Sequence, residues 1–205
     1  MISYEYKLKK FFENDLKDIS NPRILEFGVK EGRSTKILLD YCKKNNGELF
    51  SVDIEDYSNL FSEKNWHFIK SRDDDFDYLK DKIPDKFDFI YLDSLHEAKH
   101  VEKIFYHYFN YLKINGTFFI DDISWLPYLK NSKRDNFYCE INNKETFEKL
   151  LEIYNSNQDK FDIFFTFISS GMCKIVKKQD YLNENKKFFL REFSVKNFIR
   201  KILKR

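Results

Sequence analysis

The stretch ILEFGVKEGRST (residues 24–35) joins an apolar run to two glycines and a polar segment. Glycines at positions 28 and 32 let the backbone turn tightly and let a ligand approach without interference from Cβ atoms. Free N–H groups at the start of a following helix attract a carboxylate or a phosphate. The G-x-x-x-G spacing differs from the G-x-G-x-x-G of dinucleotide-binding proteins. The stretch therefore predicts a strand, a ligand-binding turn and a helix.

Strands and helices alternate along the chain around this turn. Helical spacing of apolar residues and helix-ending signals predict helices at 4–18, 34–44 and 97–112, the last ending at Asn115-Gly116. Short apolar runs predict strands at 23–29, 48–54, 66–71, 87–93 and 117–123. Such alternation favours a parallel sheet with helices on both faces, in which the carboxyl ends of the strands form one ligand-binding edge.

The pattern changes after residue 140. A helix at 144–154 precedes two apolar runs, 161–169 and 171–178, which a short Ser170-Gly171 turn connects. A turn this short makes a hairpin, so one of these strands is antiparallel. The predicted fold class is α/β: a three-layer Rossmann-like sandwich with a mostly parallel seven-stranded sheet, a C-terminal antiparallel hairpin, and N-terminal and C-terminal helices. We expect one domain over 1–180, with its core at 22–178, and a separate tail at 181–205.

Composition excludes several classes of protein. The 205 residues are 42% hydrophobic, which is too rich for a disordered chain. No N-terminal segment has the pattern of a signal peptide, and the longest apolar runs are far shorter than the ~20 residues of a membrane span. Cys42, Cys139 and Cys173 are scattered, without a disulfide framework or a metal-binding spacing. These features suit a reducing cytoplasm.

Acidic residues end two successive strands. Asp93 follows the fourth predicted strand, and Asp121 and Asp122 close the fifth. If these strands are neighbours, the carboxylates converge, and their repulsion needs a cation or a shared proton. Oxygen ligands suit a hard divalent ion such as Mg²⁺. His96 follows Asp93 by three residues and has a pKa suited to a general base.

Simpler interpretations of these residues stay open. Asp93 or Asp122 alone fits a helix or turn cap, and a histidine at a helix start is often a surface residue. His96 and His100 form an H-x-x-x-H pair that fits zinc, although no H-E-x-x-H pattern supports zinc binding.

Several motifs together resemble the class I S-adenosylmethionine-dependent methyltransferases over about residues 22–178. The motif residues are Glu26, Gly28, Gly32, Ser34, Asp53 and Asp93, followed by the late hairpin. The resemblance implies that Glu26 and the Gly28–Ser34 turn hold the methionine part of the donor and that Asp53 holds the ribose. Many members have a further glycine where this chain has Lys30. Arg72 or Asp73, after the third strand, is the candidate for the adenine edge; Asp73–Asp75 alternatively caps a helix.

A narrower resemblance concerns the acidic end. The small-molecule O-methyltransferases related to macrolide-sugar enzymes, and the cephalosporin-hydroxylase-like group, share the glycine turn without the further glycine. The macrolide-sugar O-methyltransferases also carry D-x-x-H followed by an acidic pair. Here "DSLH" (93–96) and "DD" (121–122) match, with Asp121 where glutamate is common. The resemblance implies O-methylation of a small-molecule or saccharide hydroxyl, with Mg²⁺ held by Asp93, Asp121 and Asp122 and with His96 as base. The rivals are a nucleotide-sugar or dinucleotide enzyme and a non-catalytic nucleotide-binding scaffold.

Two segments outside these motifs carry their own predictions. Residues 124–142 lack a period and contain Trp125, Tyr128, Arg134 and Tyr138, which suit either a substrate-facing lid or a plain surface loop. Residues 181–205 carry eight Lys/Arg and two Glu, a charge of +6. Because the whole chain has a net charge of +2, the remaining residues carry −4. The tail reads as a basic amphipathic helix that packs on its own domain, on a second copy in a homo-oligomer, or on an anionic membrane. The acidic site edge disfavours nucleic acid.

Overall fold

The computed structural model describes residues 4–125, 137–187 and 194–203, the side chains of 137–140 excepted. The strands are β1 (Arg23–Phe27), β2 (Glu48–Asp53), β3 (Trp66–Lys70), β4 (Phe87–Leu92), β5 (Leu112–Asp121), β6 (Phe161–Thr166) and β7 (Met172–Lys177). The helices are α1 (Tyr4–Leu16), α2 (Arg33–Asn45), α3 (Phe76–Lys80), α4 (Ala98–Tyr108), α5 (Phe137–Ser156) and α6 (Val195–Leu203).

One seven-stranded sheet has the order β3–β2–β1–β4–β5–β7–β6. Strands β1 to β5 run parallel, whereas β7 is antiparallel to both β5 and β6. This arrangement confirms the predicted fold class, including the C-terminal hairpin. The strand order reverses between β1 and β4, and ligands of such sheets bind at the carboxyl ends beside that point.

Helices cover both faces of the sheet. One face packs on α1 and α2 through residues such as Leu8, Phe12 and Leu38, which are fully buried. The other face packs on α3, α4 and α5 through residues such as Leu79 and Ile104. Strand β4 is buried on both sides, which explains why its sequence is a continuous apolar run instead of an alternating one.

Alternation along each strand decides which helical layer a side chain meets. Leu25 and Phe27 belong to the core under α3–α5, so Glu26 between them faces α2. Ile120 faces the α3–α5 core in the same way, so Asp121 faces α1. This alternation, which follows from the period of two in a strand, determines which helices the side chains of Glu26 and Asp121 contact.

The prediction that a helix ends at Asn115-Gly116 is wrong. Helix α4 ends at Tyr108, a 3₁₀ turn spans Phe109–Tyr111, and β5 has already begun at Leu112. Asn115 has a left-handed φ of 64°, and the pairing of β4 with β5 shifts register nearby. The dipeptide therefore marks an irregularity inside a strand. The structure also adds the short helix α3, and it starts α5 seven residues before the predicted position 144.

Beyond the sheet, residues 181–187 run along α4 and α5. The backbone N–H of Asn183 donates to Asn157 Oδ1 at 2.6 Å, and Asn185 donates to Glu102 at 2.5 Å. Cys42 and Cys173 are buried free thiols. No helix within the described ranges is long and apolar enough to cross a membrane.

Candidate functional site

The turn after β1 brings two strand ends close together. Gly28 has a φ of 93°, and a Cβ atom there would lie 2.1 Å from the carbonyl oxygen of Asp93. Only glycine fits this approach. Gly32, with a φ of 73°, begins α2, and no side chain caps that helix start among the described residues. Its first backbone N–H groups are thus suited to an anionic group of a ligand.

Lys30 occupies the position at which the related methyltransferases carry a further glycine. Its φ is 48°, in the left-handed region that glycine adopts at the lowest cost. Lys30 therefore adopts the backbone conformation that glycine takes at the lowest cost. The lysine side chain is exposed and lines the cavity described below.

Asp53 ends β2 and holds the glycine turn in place. Its Oδ2 accepts the backbone N–H of Val29 at 2.7 Å and that of Lys30 at 3.2 Å. Its Oδ1 accepts the N–H of Glu55 at 3.0 Å. The residue lies beside the glycine turn, and ribose binding by its carboxylate stays a prediction.

Glu26 does not face the cleft, contrary to the expectation that it contacts the donor. Its side chain has no exposed surface and accepts hydrogen bonds from Ser34 Oγ (2.6 Å), Thr35 Oγ1 (2.8 Å) and Ser51 Oγ (2.7 Å). Burial raises the pKa of Glu26 to about 7, although these three donors favour its charged form. Glu26 therefore joins β1 to the first turn of α2 and to β2.

Arg72 and Asp73, the two candidates for the adenine edge, both contact other side chains of the protein. The Arg72 guanidinium forms an ion pair with Asp74, with a distance of 2.8 Å from Nε to Oδ1. Asp73 Oδ2 accepts Ser94 Oγ at 2.5 Å and lies 2.9 Å from His100 Nε2. The helix-cap alternative holds for Asp75, which accepts the N–H of Tyr78 at the start of α3.

Three side chains converge at the ends of β4 and β5. His96 Nε2 lies 3.3 Å from Asp93 Oδ1 and 3.4 Å from Asp122 Oδ2. Within the described part of the chain, one potential ligand atom from each residue lies within 4.8 Å of the other two. Two carboxylates and one imidazole are a donor set that fits a divalent cation, which would offset the repulsion between the acids. His100 lies against Asp73 instead, so it does not join His96 in the alternative zinc pair.

The charge environment of His96 favours its protonated form. Burial by itself lowers the pKa of His96, but the hydrogen bond with Asp93 and the charges of Asp122, Asp93 and Asp121 outweigh burial and raise the pKa above its ordinary value. A cation beside the same carboxylates would reverse part of this effect.

Asp121 lies outside this group, which corrects its assignment as a metal ligand. Its side chain has no exposed surface and pairs with the equally buried Lys7, with 2.5 Å between Nζ and Oδ1. Tyr91 donates to its Oδ2 at 2.6 Å, and Ser170 donates to its Oδ1 at 3.1 Å. Because side chains alternate along β5, the Asp121 carboxylate points under α1. Asp122, which has a left-handed φ of 56°, points back toward the cleft.

Sequence reasoning missed the contribution of α1. Tyr4 donates its hydroxyl to Asp93 Oδ2 at 2.6 Å, and Lys7 is fully buried against Asp121. A signal was present, because Lys7 interrupts an apolar helical face and a buried lysine needs a partner. Tyr91, inside an apolar strand, carried a similar signal, since a buried phenol hydroxyl requires a hydrogen-bond partner.

A cavity of about 650 Å³ connects the glycine turn to the acidic group. Its lining includes Tyr4, Gly28, Ser34, Asp93, His96 and Asp122. This volume lies in the range of small-molecule sites. A larger cavity of about 810 Å³ lies at the opposite edge, around Arg23 and Gly47, and holds none of the predicted site residues. Of the predicted lid, Trp125 is partly buried, whereas Tyr128, Arg134 and the side chain of Tyr138 lie outside the described residues.

Comparison with known proteins agrees with this geometry. A family model described as a methyltransferase domain matches residues 25–123, just under half of the chain. No curated protein matches the chain. Among solved structures, the methyltransferase MycE of the mycinamycin biosynthetic pathway, in complex with Mg, S-adenosylhomocysteine and mycinamycin VI, is 20% identical with a TM-score of 0.62. The alignment covers 87% of this chain and 51% of MycE, so the chain spans about half the length of that relative.

A second similar structure is nearer in length. The methyltransferase PaMTH1 of Podospora anserina, bound to S-adenosylhomocysteine, is 16% identical with a TM-score of 0.61. The alignment covers 87% of this chain and 80% of PaMTH1. Identities this low establish the fold. Residues 25–123 therefore match a methyltransferase-domain model, and the chain has the fold of these solved methyltransferases.

Proposed function

We propose that the protein transfers a methyl group from S-adenosylmethionine to a hydroxyl of a small molecule or saccharide, assisted by a divalent metal ion. The observation that carries this proposal is the single cavity that contains both the glycine turn and the Asp93–His96–Asp122 group. One end suits a nucleoside donor, and the other suits an acceptor hydroxyl that must lose a proton.

The donor end has the parts that a nucleoside with a charged amino-acid group requires. The start of α2 offers backbone N–H groups to the donor carboxylate. The Asp53 carboxylate, at the end of β2, is the candidate acceptor for the ribose hydroxyls. Gly28 keeps the strand ends close and leaves the mouth of the turn free of a Cβ atom.

The acidic end supports Mg²⁺ and a base. Asp93 and Asp122 are the proposed ligands, and a bound ion would supply Lewis acidity that lowers the pKa of the acceptor hydroxyl. His96 Nε2 accepts the hydroxyl proton. The acceptor oxygen then forms a bond to the methyl carbon, while the carbon–sulfur bond breaks and its electron pair stays on sulfur. The shared cavity aligns the two reacting centres.

MycE, which was solved with Mg and mycinamycin VI, supports a small-molecule acceptor by analogy. The proposal is restricted to the class of acceptor, a hydroxyl compound that enters beside His96.

Calorimetric titration tests the donor site. S-adenosylhomocysteine should bind the wild-type protein at micromolar concentration, and Asp53→Ala should weaken binding at least about 10-fold, or ~1.4 kcal/mol. Asp56→Ala is the matched control, because Asp56 is an exposed carboxylate three residues further along the same segment. Binding of NAD(H) in place of S-adenosylhomocysteine would favour a dinucleotide enzyme and refute the proposal.

A second titration tests the metal and the base. After EDTA treatment, Mg²⁺ should bind the wild-type protein, and Asp93→Ala should abolish its signal. His96→Ala should eliminate methyl transfer to any acceptor that the wild-type protein uses. Donor binding without a Mg²⁺ signal would remove the metal from the mechanism, and donor binding without turnover on any hydroxyl compound would indicate a non-catalytic scaffold.

The C-terminal helix suggests where the protein works. We propose that α6 binds an anionic membrane surface. Its apolar side chains are 49% to 79% exposed, and they are Val195, Phe198, Ile199, Ile202 and Leu203. Lys196, Arg200 and Lys201 share the helix, which contains no acidic residue. An apolar face bordered by cations is suited to an anionic bilayer, whereas the mildly acidic body of the same chain is not.

Flotation with lipid vesicles tests this role of α6. The protein should bind vesicles that contain phosphatidylglycerol and should not bind vesicles of phosphatidylcholine alone. Phe198→Asp should abolish binding, whereas Tyr181→Asp, at an exposed aromatic residue outside α6, should not. Absence of binding, together with a wild-type dimer that Phe198→Asp dissociates, would show that α6 packs on a second copy.

A further inference from the structure

Two residues of α1 reach the acidic end of the site, although α1 precedes the segment that matches the methyltransferase domain. Tyr4 and Lys7 lie one helical turn apart, so both point at the same side of the sheet. Their polar atoms contact two different carboxylates, Asp93 and Asp121 respectively. Each contact leads toward one of the proposed metal ligands.

The first contact orients Asp93. Its Oδ2 accepts the hydroxyl of Tyr4 at 2.6 Å. The hydroxyl oxygen of Tyr91, which donates its proton to Asp121, lies 3.2 Å from the same Oδ2. Asp93 Oδ1 is then the atom that faces His96, at 3.3 Å. Because the Tyr4 hydroxyl occupies Oδ2, the carboxylate presents Oδ1 to the cleft. Such contacts behind a ligand fix its orientation and its basicity.

The second contact acts through a buried ion pair. Lys7 Nζ lies 2.5 Å from Asp121 Oδ1, and the same oxygen accepts the backbone N–H of Asp122 at 2.8 Å. That N–H belongs to a residue with a left-handed φ of 56°, which is unfavourable for aspartate without support. Lys7 also donates to Ser170 Oγ at 2.8 Å and thereby joins the β6–β7 turn to the end of β5.

We infer that Tyr4 and Lys7 are positioning residues for the proposed cation site: Tyr4 orients Asp93, and Lys7, through Asp121, fixes the backbone that directs Asp122 toward His96. The inference rests on the proposed function, because it concerns the ligands of the proposed Mg²⁺ ion. It assigns α1 a role beyond covering the sheet. It also gives the buried Asp121 a role: this residue does not bind the metal ion itself but supports the ligand Asp122.

Variants of each contact test the inference by Mg²⁺ titration. Tyr4→Phe keeps the ring and removes the hydroxyl, and it should weaken Mg²⁺ binding about 10- to 100-fold. The double variant Lys7→Met/Asp121→Leu removes both buried charges together, which avoids an unpaired charge in the core, and it should weaken Mg²⁺ binding by a similar factor. Neither change should alter the affinity for S-adenosylhomocysteine more than about 2-fold, because the donor end is untouched.

Matched controls separate positioning from general stability. Lys174 on β7 and Asp15 on α1 form another ion pair between the same helix and the sheet, away from the cavity. Lys174→Met/Asp15→Leu should leave Mg²⁺ binding unchanged, as should Tyr78→Phe, at a phenol that is 46% exposed on α3.

Each outcome is informative. Selective loss of Mg²⁺ affinity in the two site variants supports the inference. Wild-type Mg²⁺ affinity in both, or equal losses of Mg²⁺ and donor affinity in variants and controls alike, overturns it. Absence of Mg²⁺ binding by the wild-type protein also overturns it, whereas donor binding decides the methyl-donor site separately. Absence of donor binding refutes the proposed function, and the Mg²⁺ titrations still decide the role of α1.

Discussion

Glu26 and Asp121 lie on the same face of the sheet and have no exposed side-chain surface, yet the protein accommodates them differently. Glu26, at the donor end, is surrounded by three hydroxyl donors, and no cation pairs with it among the described residues. Asp121, at the acidic end, is paired with the buried ammonium group of Lys7. Hydroxyls suffice for an isolated carboxylate that can take up a proton, whereas a carboxylate beside Asp93 and Asp122 needs a counter-charge.

The largest difference between the two ends should appear when the counter-charge is removed. Lys7→Met leaves Asp121 buried without its partner, and we expect the free energy of unfolding to fall by about 3–5 kcal/mol. Urea denaturation measures this loss. Lys174→Met, at an ammonium group that is 29% exposed, should cost much less. A loss at Lys7 no greater than that at Lys174 would contradict the need for a counter-charge.

The pH dependence should distinguish the donor end. Because burial raises the pKa of Glu26 from 4.5 to about 7, the folded state keeps a proton that the unfolded chain releases between these pH values. The resulting stabilisation is complete below pH 4.5 and is lost as the pH rises through 7. Relative to Glu26→Gln, which cannot titrate, the wild-type protein should lose up to ~3 kcal/mol between about pH 5 and about pH 8.

Urea denaturation of both proteins at the two pH values checks this prediction for Glu26. Taking the difference between wild type and variant cancels the titration of all other groups, provided that they are unaffected by the change. A difference that stays constant, or that grows in favour of the wild type as the pH rises, would show that the Glu26 carboxyl group is not held protonated in the folded protein.

Removing one hydroxyl should have a smaller effect than removing the ammonium group. Thr35→Val keeps the shape of the side chain and deletes one of the three donors to Glu26. We expect a loss of about 1–2 kcal/mol in the free energy of unfolding, because two donors remain. Thermal or urea denaturation measures it. A loss as large as that of Lys7→Met would mean that the three hydroxyls act as a unit with no redundancy.

The smallest effect concerns the backbone of the donor turn. Lys30→Gly relieves a left-handed φ of 48°, and we expect the protein to gain about 0.5–1 kcal/mol in stability while donor affinity changes less than about 2-fold. Asn46→Gly, at the left-handed residue that ends α2, is the control away from the cavity. A loss of donor affinity in Lys30→Gly alone would show that the lysine side chain itself contacts the donor.

The sequence predicted the strands of the core and the edge at which the acidic residues meet. Apolar runs located β1 to β5, and the short Ser170-Gly171 turn located the hairpin that distinguishes this fold. Asp93, His96 and Asp122 were brought together as expected, because carboxyl ends of neighbouring parallel strands meet at one edge. These conclusions needed only local patterns and the rules of strand connection.

The side-chain assignments at Glu26 and Asp121 failed for a reason that the same patterns contain. Successive side chains in a strand point to opposite faces of the sheet. Both of these side chains are buried on the face that α1 and α2 cover. Which helix covers each one depends on packing between distant segments, so the partnership of Lys7 with Asp121 is not visible in any local pattern. The Asn115-Gly116 signal failed similarly, because only the pairing with β4 shows that it lies within a strand.

The ion pair between Lys7 and Asp121 also constrains the order in which the site can form during synthesis. Lys7 is synthesised 163 residues before Ser170, another of its hydrogen-bond partners. The donor turn, in which Glu26 and Ser34 are eight residues apart, can form from a nascent segment and its neighbouring strands. The acidic end must wait for the hairpin, so a truncated chain that lacks β6 and β7 would expose Lys7 and Asp121 with an incomplete environment. Contacts of such long range form late and slowly.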